Sequence, residues 1–108
     1  MTGPVLATLA NPVSPEHEGE FNTWYNETHL KEMIAIPGVA AINRYRLADG
    51  PGAESAEHRY LTFYELDGDP AAVLAEIRAR SQSMTRSDAF DAAGSSMALW
   101  VPVEGGSA

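Results

Sequence analysis

The segment from Phe21 to Gly38 constrains the fold of this chain most strongly, because it predicts a helix that ends abruptly. Successive residues of a helix advance by about 100°, so that side chains three or four positions apart share a face. One face contains Phe21, Tyr25, Thr28 and Ile36, with Trp24 and His29 at its edges. Pro37 lacks an amide hydrogen and Gly38 accepts positive φ, so the helix must end there. The chain therefore passes directly from this helix into a strand.

The remaining segments predict a complete order of elements. An apolar run predicts a first strand over 5–10, and Ser14-Pro15-Glu16 is a helix start signal for the helix over 16–36. β-branched, aromatic and alternating residues predict strands over 39–47 and 58–66, separated by a loop over 48–56. Asp69-Pro70 begins a second helix that ends near Arg80, the polar stretch 81–94 hints at a short helical turn, and a last strand covers 97–103. The order β-α-β-β-α-β predicts an α+β, ferredoxin-like fold, with a four-stranded antiparallel sheet and helices on one face.

Length and composition limit the classes of protein. A chain of 108 residues is expected to form one domain over 1–103 with a flexible tail over 104–108. A net charge of −8 argues against nucleic acids and anionic membrane surfaces as partners. The absence of cysteine excludes disulfides and thiolate chemistry, and no run approaches the roughly 20 apolar residues of a membrane span. We therefore expect a cytoplasmic protein.

The third strand indicates how the uncovered face of the sheet is used. One alternation carries Tyr60, Thr62, Tyr64 and Leu66, and the other carries Leu61 and Phe63. If the tyrosine set lay on the helix-free face, with Trp100 beside it, that face would be too apolar to leave exposed. The sequence therefore predicts a homodimer that pairs its sheets, with a pocket for a small apolar or aromatic molecule between them.

Three side chains are candidates for proton chemistry. His29 changes charge near neutral pH and needs no cofactor to move a proton. Tyr25 lies one helical turn before His29, where its phenol can orient the imidazole, although core packing is the more common role of an aromatic residue at helical spacing. The phenol of Tyr64, or that of Tyr60 on the same strand face, can stabilise an oxyanion or simply bridge the dimer.

Further side chains are candidates for binding a substrate. The indole of Trp24 can line the mouth of a pocket. Asn43 and Arg44 point to opposite faces of the second strand, so only one of them can face the pocket. An inward Asn43 would bind a neutral oxygen, and an inward Arg44 would favour a carboxylate or phenolate.

Four short stretches together resemble a known family. Trp24-Tyr25, Thr28-His29-Leu30, Ile36-Pro37-Gly38-Val39 and Asn43-Arg44-Tyr45-Arg46 are similar to the EthD-like group of the dimeric α/β-barrel superfamily. The resemblance implies a homodimer, and it matches His29, Trp24 and Tyr25 to the histidine and aromatic pair of that group's helix. It implies pocket residues drawn from Asn43, Tyr45, Tyr60, Thr62 and Tyr64. Activities in the superfamily include cofactor-free monooxygenation, isomerisation, cyclisation, decarboxylation and haem degradation.

The function that we expect is therefore a small cofactor-independent enzyme acting by proton transfer on an aromatic or polyketide-like carbonyl compound. No metal is expected, because the spacing of His29 and Glu32 is more simply that of a solvated helix face. Two alternatives remain open. The protein could be a non-catalytic binder of an apolar metabolite, or it could handle haem, in which case added haemin would give a Soret band that His29→Ala removes.

Overall fold

The sheet follows the predicted order. In the computed structural model, which describes residues 3–108, four strands form one antiparallel sheet. They are β1 (Val5–Ala10), β2 (Val39–Arg46), β3 (Tyr60–Leu66) and β4 (Ser96–Trp100). The spatial order is β2-β3-β1-β4. This is the ferredoxin-like arrangement, and it confirms the fold predicted from the element order.

Two helices cover one face of the sheet. The first helix has three consecutive parts, namely α1 (Glu18–Trp24), a π-helical turn (Tyr25–His29) and α2 (Leu30–Ile34), and a 3₁₀ turn (Pro15–His17) precedes it. The second helix is α3 (Pro70–Ser81), and the side chain of Asp69 caps it by accepting from the Ala71 amide at 3.1 Å. Within residues 3–108, no helix is long and apolar enough to cross a bilayer.

The core lies between the sheet and these helices, in two clusters. The larger cluster joins buried sheet and helix side chains, which are Leu6, Val39, Tyr64, Leu66, Met33, Ile36, Val73 and Ile77. The smaller cluster is Ala10, Phe21, Tyr25, Tyr60 and Ala89. Gly38 has φ of +94° in the turn between the first helix and β2, and a Cβ there would overlap the Val73 side chain. The turn therefore requires glycine for both its backbone and its packing.

The orientation of β3 differs from the prediction. Tyr60, Thr62, Tyr64 and Leu66 are all buried beneath the helices, and the helix-free face carries Leu61 and Phe63 with Trp100 of β4. Alternation defines two faces of a strand but not which one is covered. The two phenol hydroxyls under the helices are accommodated because both have hydrogen-bond partners there: Tyr60 contacts Asn22 and Glu18, and Tyr64 contacts Tyr25.

Two predictions for the last part of the chain also differ from the structure. β4 ends at Trp100, not at residue 103. Trp100 pairs with Val5, the first residue of β1, and the residue before it, Pro4, has no amide to donate to a further pair. The stretch 82–95 contains turns and bends but no helix.

Candidate active site

A π-helical turn shapes the functional side of the first helix. The Leu30 amide donates to the Tyr25 carbonyl, five residues back. In a regular α-helix, residues five apart point about 140° away from one another. Here Trp24 and His29 instead stack, with ring centroids 5.0 Å apart and planes inclined by 25°. The turn thus brings both rings to one side of the helix, and such π-bulges are frequent at functional sites.

These rings border a cavity of about 350 Å³ between the first helix, α3 and the sheet, which we call the helix–sheet cavity. Its polar wall is formed by Thr8, Tyr25, His29 and Tyr64, and Ser81, Ser95 and Ser96 also line the cavity. Its apolar and aromatic walls include Met33, Ile77, Met84, Met97, Trp24 and Phe90. A few converging polar groups in an apolar enclosure are typical of a small-molecule site.

Three hydroxyl groups meet at the polar wall. The Tyr25 hydroxyl lies 3.2 Å from the Tyr64 hydroxyl and 3.3 Å from Thr8 Oγ1. Burial raises the pKa of Tyr64 far above its usual range, and the adjacent Tyr25 phenol raises it further. Tyr64 is therefore a neutral phenol, able to donate a hydrogen bond to a ligand oxygen.

His29 is held as a neutral imidazole. Its ring packs edge-on against Tyr25, with centroids 4.9 Å apart, and its Nδ1 is buried without a hydrogen-bond partner. Burial lowers the pKa of His29; the negative charge of Glu32 opposes this effect and the positive charge of Arg44 adds to it. Since Nδ1 is enclosed, Nε2 is the nitrogen through which the ring can exchange a proton with a ligand.

The segment 82–95 closes one side of the cavity, and side chains of the first helix hold it there. The Glu32 carboxylate accepts hydrogen bonds from the amide and from Oγ1 of Thr85, both at 3.0 Å. Trp24 Nε1 donates to the Thr85 carbonyl at 3.1 Å, and Phe90 stacks on the Trp24 ring. Glu32 therefore connects the closing segment to the helix that carries His29.

Three other candidates, Thr62, Arg44 and Tyr60, lie on the helix side of the sheet but do not line the cavity. Thr62 is buried beneath the helices without lining the cavity. Arg44 and Tyr60 line a separate polar groove with Asn22 and Asn26, on the β2 side of the first helix. The Arg44 guanidinium carbon lies 4.2 Å from the centre of the Tyr25 ring. Arg44 thus contacts the wall of the cavity without entering it.

The remaining candidates lie on the helix-free face. Asn43 donates to Glu65 at 3.4 Å, Tyr45 packs edge-on against Phe63, and Trp100 is 62% exposed. As predicted, Asn43 and Arg44 point to opposite faces, and Arg44 is the one on the helix side. This cavity lies under the helices of a single chain, on the opposite side of the sheet from the pocket predicted between two sheets.

The sequence reasoning missed several contributors. Thr8 supplies the third hydroxyl, and its signal is a polar residue inside an otherwise apolar strand. Thr85 and Phe90 lie in a stretch without periodicity, where only contacts distant in sequence reveal a role. Among residues 3–108, no group of three His, Asp or Glu side chains is arranged to hold a metal ion.

Comparison with solved structures identifies the fold. A proposed monooxygenase from Shewanella loihica PV-4 is 16% identical, with a TM-score of 0.57 over 95% of this chain and 97% of that one. HapK from Hahella chejuensis is 14% identical, with a TM-score of 0.59 over 97% of both chains. An EthD family protein from Bacillus halodurans C-125 is 13% identical, with a TM-score of 0.57 over 95% of this chain and all of that one.

The chain shares its fold with these three proteins. This is the fold expected from the four stretches of sequence resemblance, and the likeness extends over nearly the whole chain. No family model matches the sequence, and no curated protein does. At these identities the likeness concerns the fold, and the reaction must be argued from the site.

Proposed function

We propose that this protein is a small cytoplasmic, cofactor-independent enzyme that acts by proton transfer on an aromatic or polyketide-like carbonyl compound. The observation that carries the proposal is the neutral imidazole of His29 beside the phenols of Tyr25 and Tyr64, all in one apolar cavity. The likeness in fold to a proposed monooxygenase and to an EthD family protein is compatible with a small enzyme.

Each group has a distinct role in the proposed reaction. His29 Nε2 removes a proton from a carbon next to the substrate carbonyl, or from an enol or phenol hydroxyl conjugated with that carbonyl, and the electron pair moves to the carbonyl oxygen as an enolate. Tyr64, supported by Tyr25, donates a hydrogen bond to that oxygen where the negative charge develops. Trp24 covers the ring of the substrate.

The outcome depends on where the enolate reacts. Return of the proton to another carbon gives isomerisation, and attack of the enolate on a second carbonyl of the substrate gives cyclisation. A β-keto acid reaches the same enolate by losing carbon dioxide. Reaction of the carbanion with dioxygen gives oxygenation. All four pass through an enolate that the hydrogen-bond donors described above stabilise, and all except decarboxylation use His29 as the base that forms it.

The test separates an enzyme from a binder at His29. A panel of hydroxylated naphthoquinones and anthrones is incubated with the wild type and with His29→Ala, with product measured by mass spectrometry and binding by tryptophan fluorescence. We expect His29→Ala to lose about 100-fold or more in turnover while affinity changes only a few-fold. His17→Ala, at an exposed position of the 3₁₀ turn, is the control. Binding to the wild type without turnover of any compound would assign a non-catalytic binding role instead.

We also propose that the protein is a homodimer joined through its helix-free face. That face presents a shallow apolar groove of about 510 Å³ lined by Val5, Ala7, Leu9, Leu61, Phe63, Ser96, Ala98 and Trp100. Contiguous apolar surface of this kind usually marks an interaction site. Light scattering on the wild type should give twice the mass of one chain, and Phe63→Glu should give the monomer. A monomeric wild type at micromolar concentration would refute the dimer.

A further inference from the structure

Arg44 is a partly buried cation without an anionic partner. Its guanidinium carbon lies 4.2 Å from the centre of the Tyr25 ring, 5.1 Å from that of Tyr60 and 5.6 Å from that of Phe21. NH1 donates to Asn26 Oδ1 at 2.8 Å, whereas Nε and NH2 are buried without a hydrogen-bond partner. Within residues 3–108, no carboxylate forms an ion pair with Arg44; the Glu18 carboxylate lines the same groove but accepts its hydrogen bond from the Tyr60 hydroxyl.

Such an arrangement needs an explanation. Removing a guanidinium from water is costly unless an opposite charge compensates it, and contacts with aromatic faces recover only part of that cost. An arginine that served packing alone would be better placed with its charged end in solvent. Here the three rings and Asn26 hold the charge at one fixed position, directly against Tyr25.

The position of the charge relative to the cavity is specific. Arg44 lines the polar groove and not the helix–sheet cavity, while Tyr25 lines the cavity and touches Arg44 with its ring. A substrate in the cavity would therefore not contact Arg44. The substrate would still feel the positive charge of Arg44, because only the Tyr25 ring, a medium of low dielectric constant, separates the two.

We propose that Arg44 is a positioning residue whose fixed positive charge acts across the Tyr25 ring, so that the cavity binds the enolate or phenolate form of a substrate in preference to its neutral form. This inference rests on the proposed function and deepens it. It names the substrate class as compounds with a weakly acidic enol or phenol hydroxyl, bound with that oxygen at Tyr64 and Tyr25.

The charges around His29 agree with this role. Glu32 faces His29 from the same helix, Arg44 lies across Tyr25 on β2, and the neutral phenols of Tyr25 and Tyr64 complete the surroundings. Arg44 lowers the pKa of His29, and Glu32 raises it. The same cation thus disfavours the imidazolium and favours an anionic substrate, which are the two conditions that a neutral base needs to remove a proton.

The size of the effect follows from Coulomb's law. For charges about 6–9 Å apart and an effective dielectric constant near 20, the preference for the anion is roughly 20- to 100-fold before solvent screening. Because the groove beside Arg44 is open to water, we expect about tenfold.

The experiment measures binding of 4-nitrophenol, whose absorbance distinguishes phenol from phenolate, to the wild type, Arg44→Met, Arg44→Gln and Arg46→Met. We expect Arg44→Met to weaken phenolate binding about tenfold, to change phenol binding by less than about twofold, and to raise the pKa of the bound probe by about one unit. Arg44→Gln keeps a side chain that can donate a hydrogen bond to Asn26 and should show the same changes as Arg44→Met. It therefore replaces Arg44→Met in the test if that variant folds poorly. Arg46→Met, two residues along the same strand, should match the wild type.

A second readout does not need the probe. Nuclear magnetic resonance of the His29 ring should show a higher pKa in Arg44→Met and Arg44→Gln than in the wild type. If Arg44→Met weakens the binding of phenol and phenolate equally and leaves the His29 pKa unchanged, Arg44 only supports packing. That result would overturn this inference but not the proposed function. Failure of both forms to bind the wild type would overturn the inference together with the proposed function of the cavity.

Discussion

Replacing His29 with asparagine should reduce the dependence of stability on pH. Burial lowers the pKa of His29 in the folded chain, whereas in the unfolded chain it stays near 6.5. As the pH falls below 6.5, the unfolded chain therefore binds more protons than the folded chain, and the free energy of unfolding decreases until the folded pKa is reached. Above that pH range His29 does not contribute to the pH dependence of the free energy of unfolding.

The magnitude has a definite ceiling. One proton changes the free energy of unfolding by at most about 1.4 kcal/mol per pH unit. With a urea m-value of about 1–3 kcal/mol/M for a domain of this size, the midpoint should move by no more than about 0.5–1.4 M per pH unit. His29→Asn should lose this part of the slope whatever its stability at pH 7.5.

The assay is urea unfolding followed by circular dichroism between pH 5 and 8. His17→Asn controls for the loss of one histidine at an exposed position. The wild type and the control should lose stability more steeply towards pH 5 than His29→Asn does. Identical slopes in the wild type and His29→Asn would refute the conclusion that the imidazole is buried as a neutral group.

Three further predictions concern packing and closure. Phe21 is fully buried among aromatic rings, so Phe21→Ala should cost about 3–5 kcal/mol in urea unfolding; a cost below 1 kcal/mol would contradict the packing. Gly38→Ala should lower the free energy of unfolding by about 2–4 kcal/mol, which is more than Gly52→Ala. Both glycines have positive φ, but only at Gly38 would the new Cβ also meet a side chain. Equal losses in the two variants would contradict the steric conflict at Gly38. Thr85→Val loses the hydroxyl bond to Glu32, so hydrogen exchange at its amide should quicken about fivefold, while Thr85→Ser stays near the wild-type rate. Unchanged exchange in Thr85→Val would exclude the hydroxyl bond as a restraint on the closing segment.

Much of the fold follows from local signals. The run 5–10 is a strand with the predicted bounds, because Pro4 and Asn11-Pro12 flank it and all its side chains except Thr8 are apolar. The turn at Gly38 and the cap at Asp69 also lie where the sequence indicates them, since each depends on the chemistry of one or two residues.

The site depends on features that local patterns do not contain. The spacing of Tyr25 and His29 fits a regular helix, so nothing indicates the π-helical turn that stacks His29 on Trp24. The alternation of Tyr60 to Leu66 fits either orientation of β3, and contacts with both helices decide between them. Consequently the sequence identified His29, Tyr25 and Tyr64 as candidates but did not indicate that they meet in one cavity under the helices.

The most direct test of the account is a crystal structure of the protein in complex with a hydroxynaphthoquinone that it binds. The account predicts the ring beside Trp24 in the helix–sheet cavity, with one oxygen within about 3.2 Å of the Tyr64 or Tyr25 hydroxyl and an acidic position facing His29 Nε2. A ligand bound on the helix-free face, with the helix–sheet cavity unchanged, would contradict it.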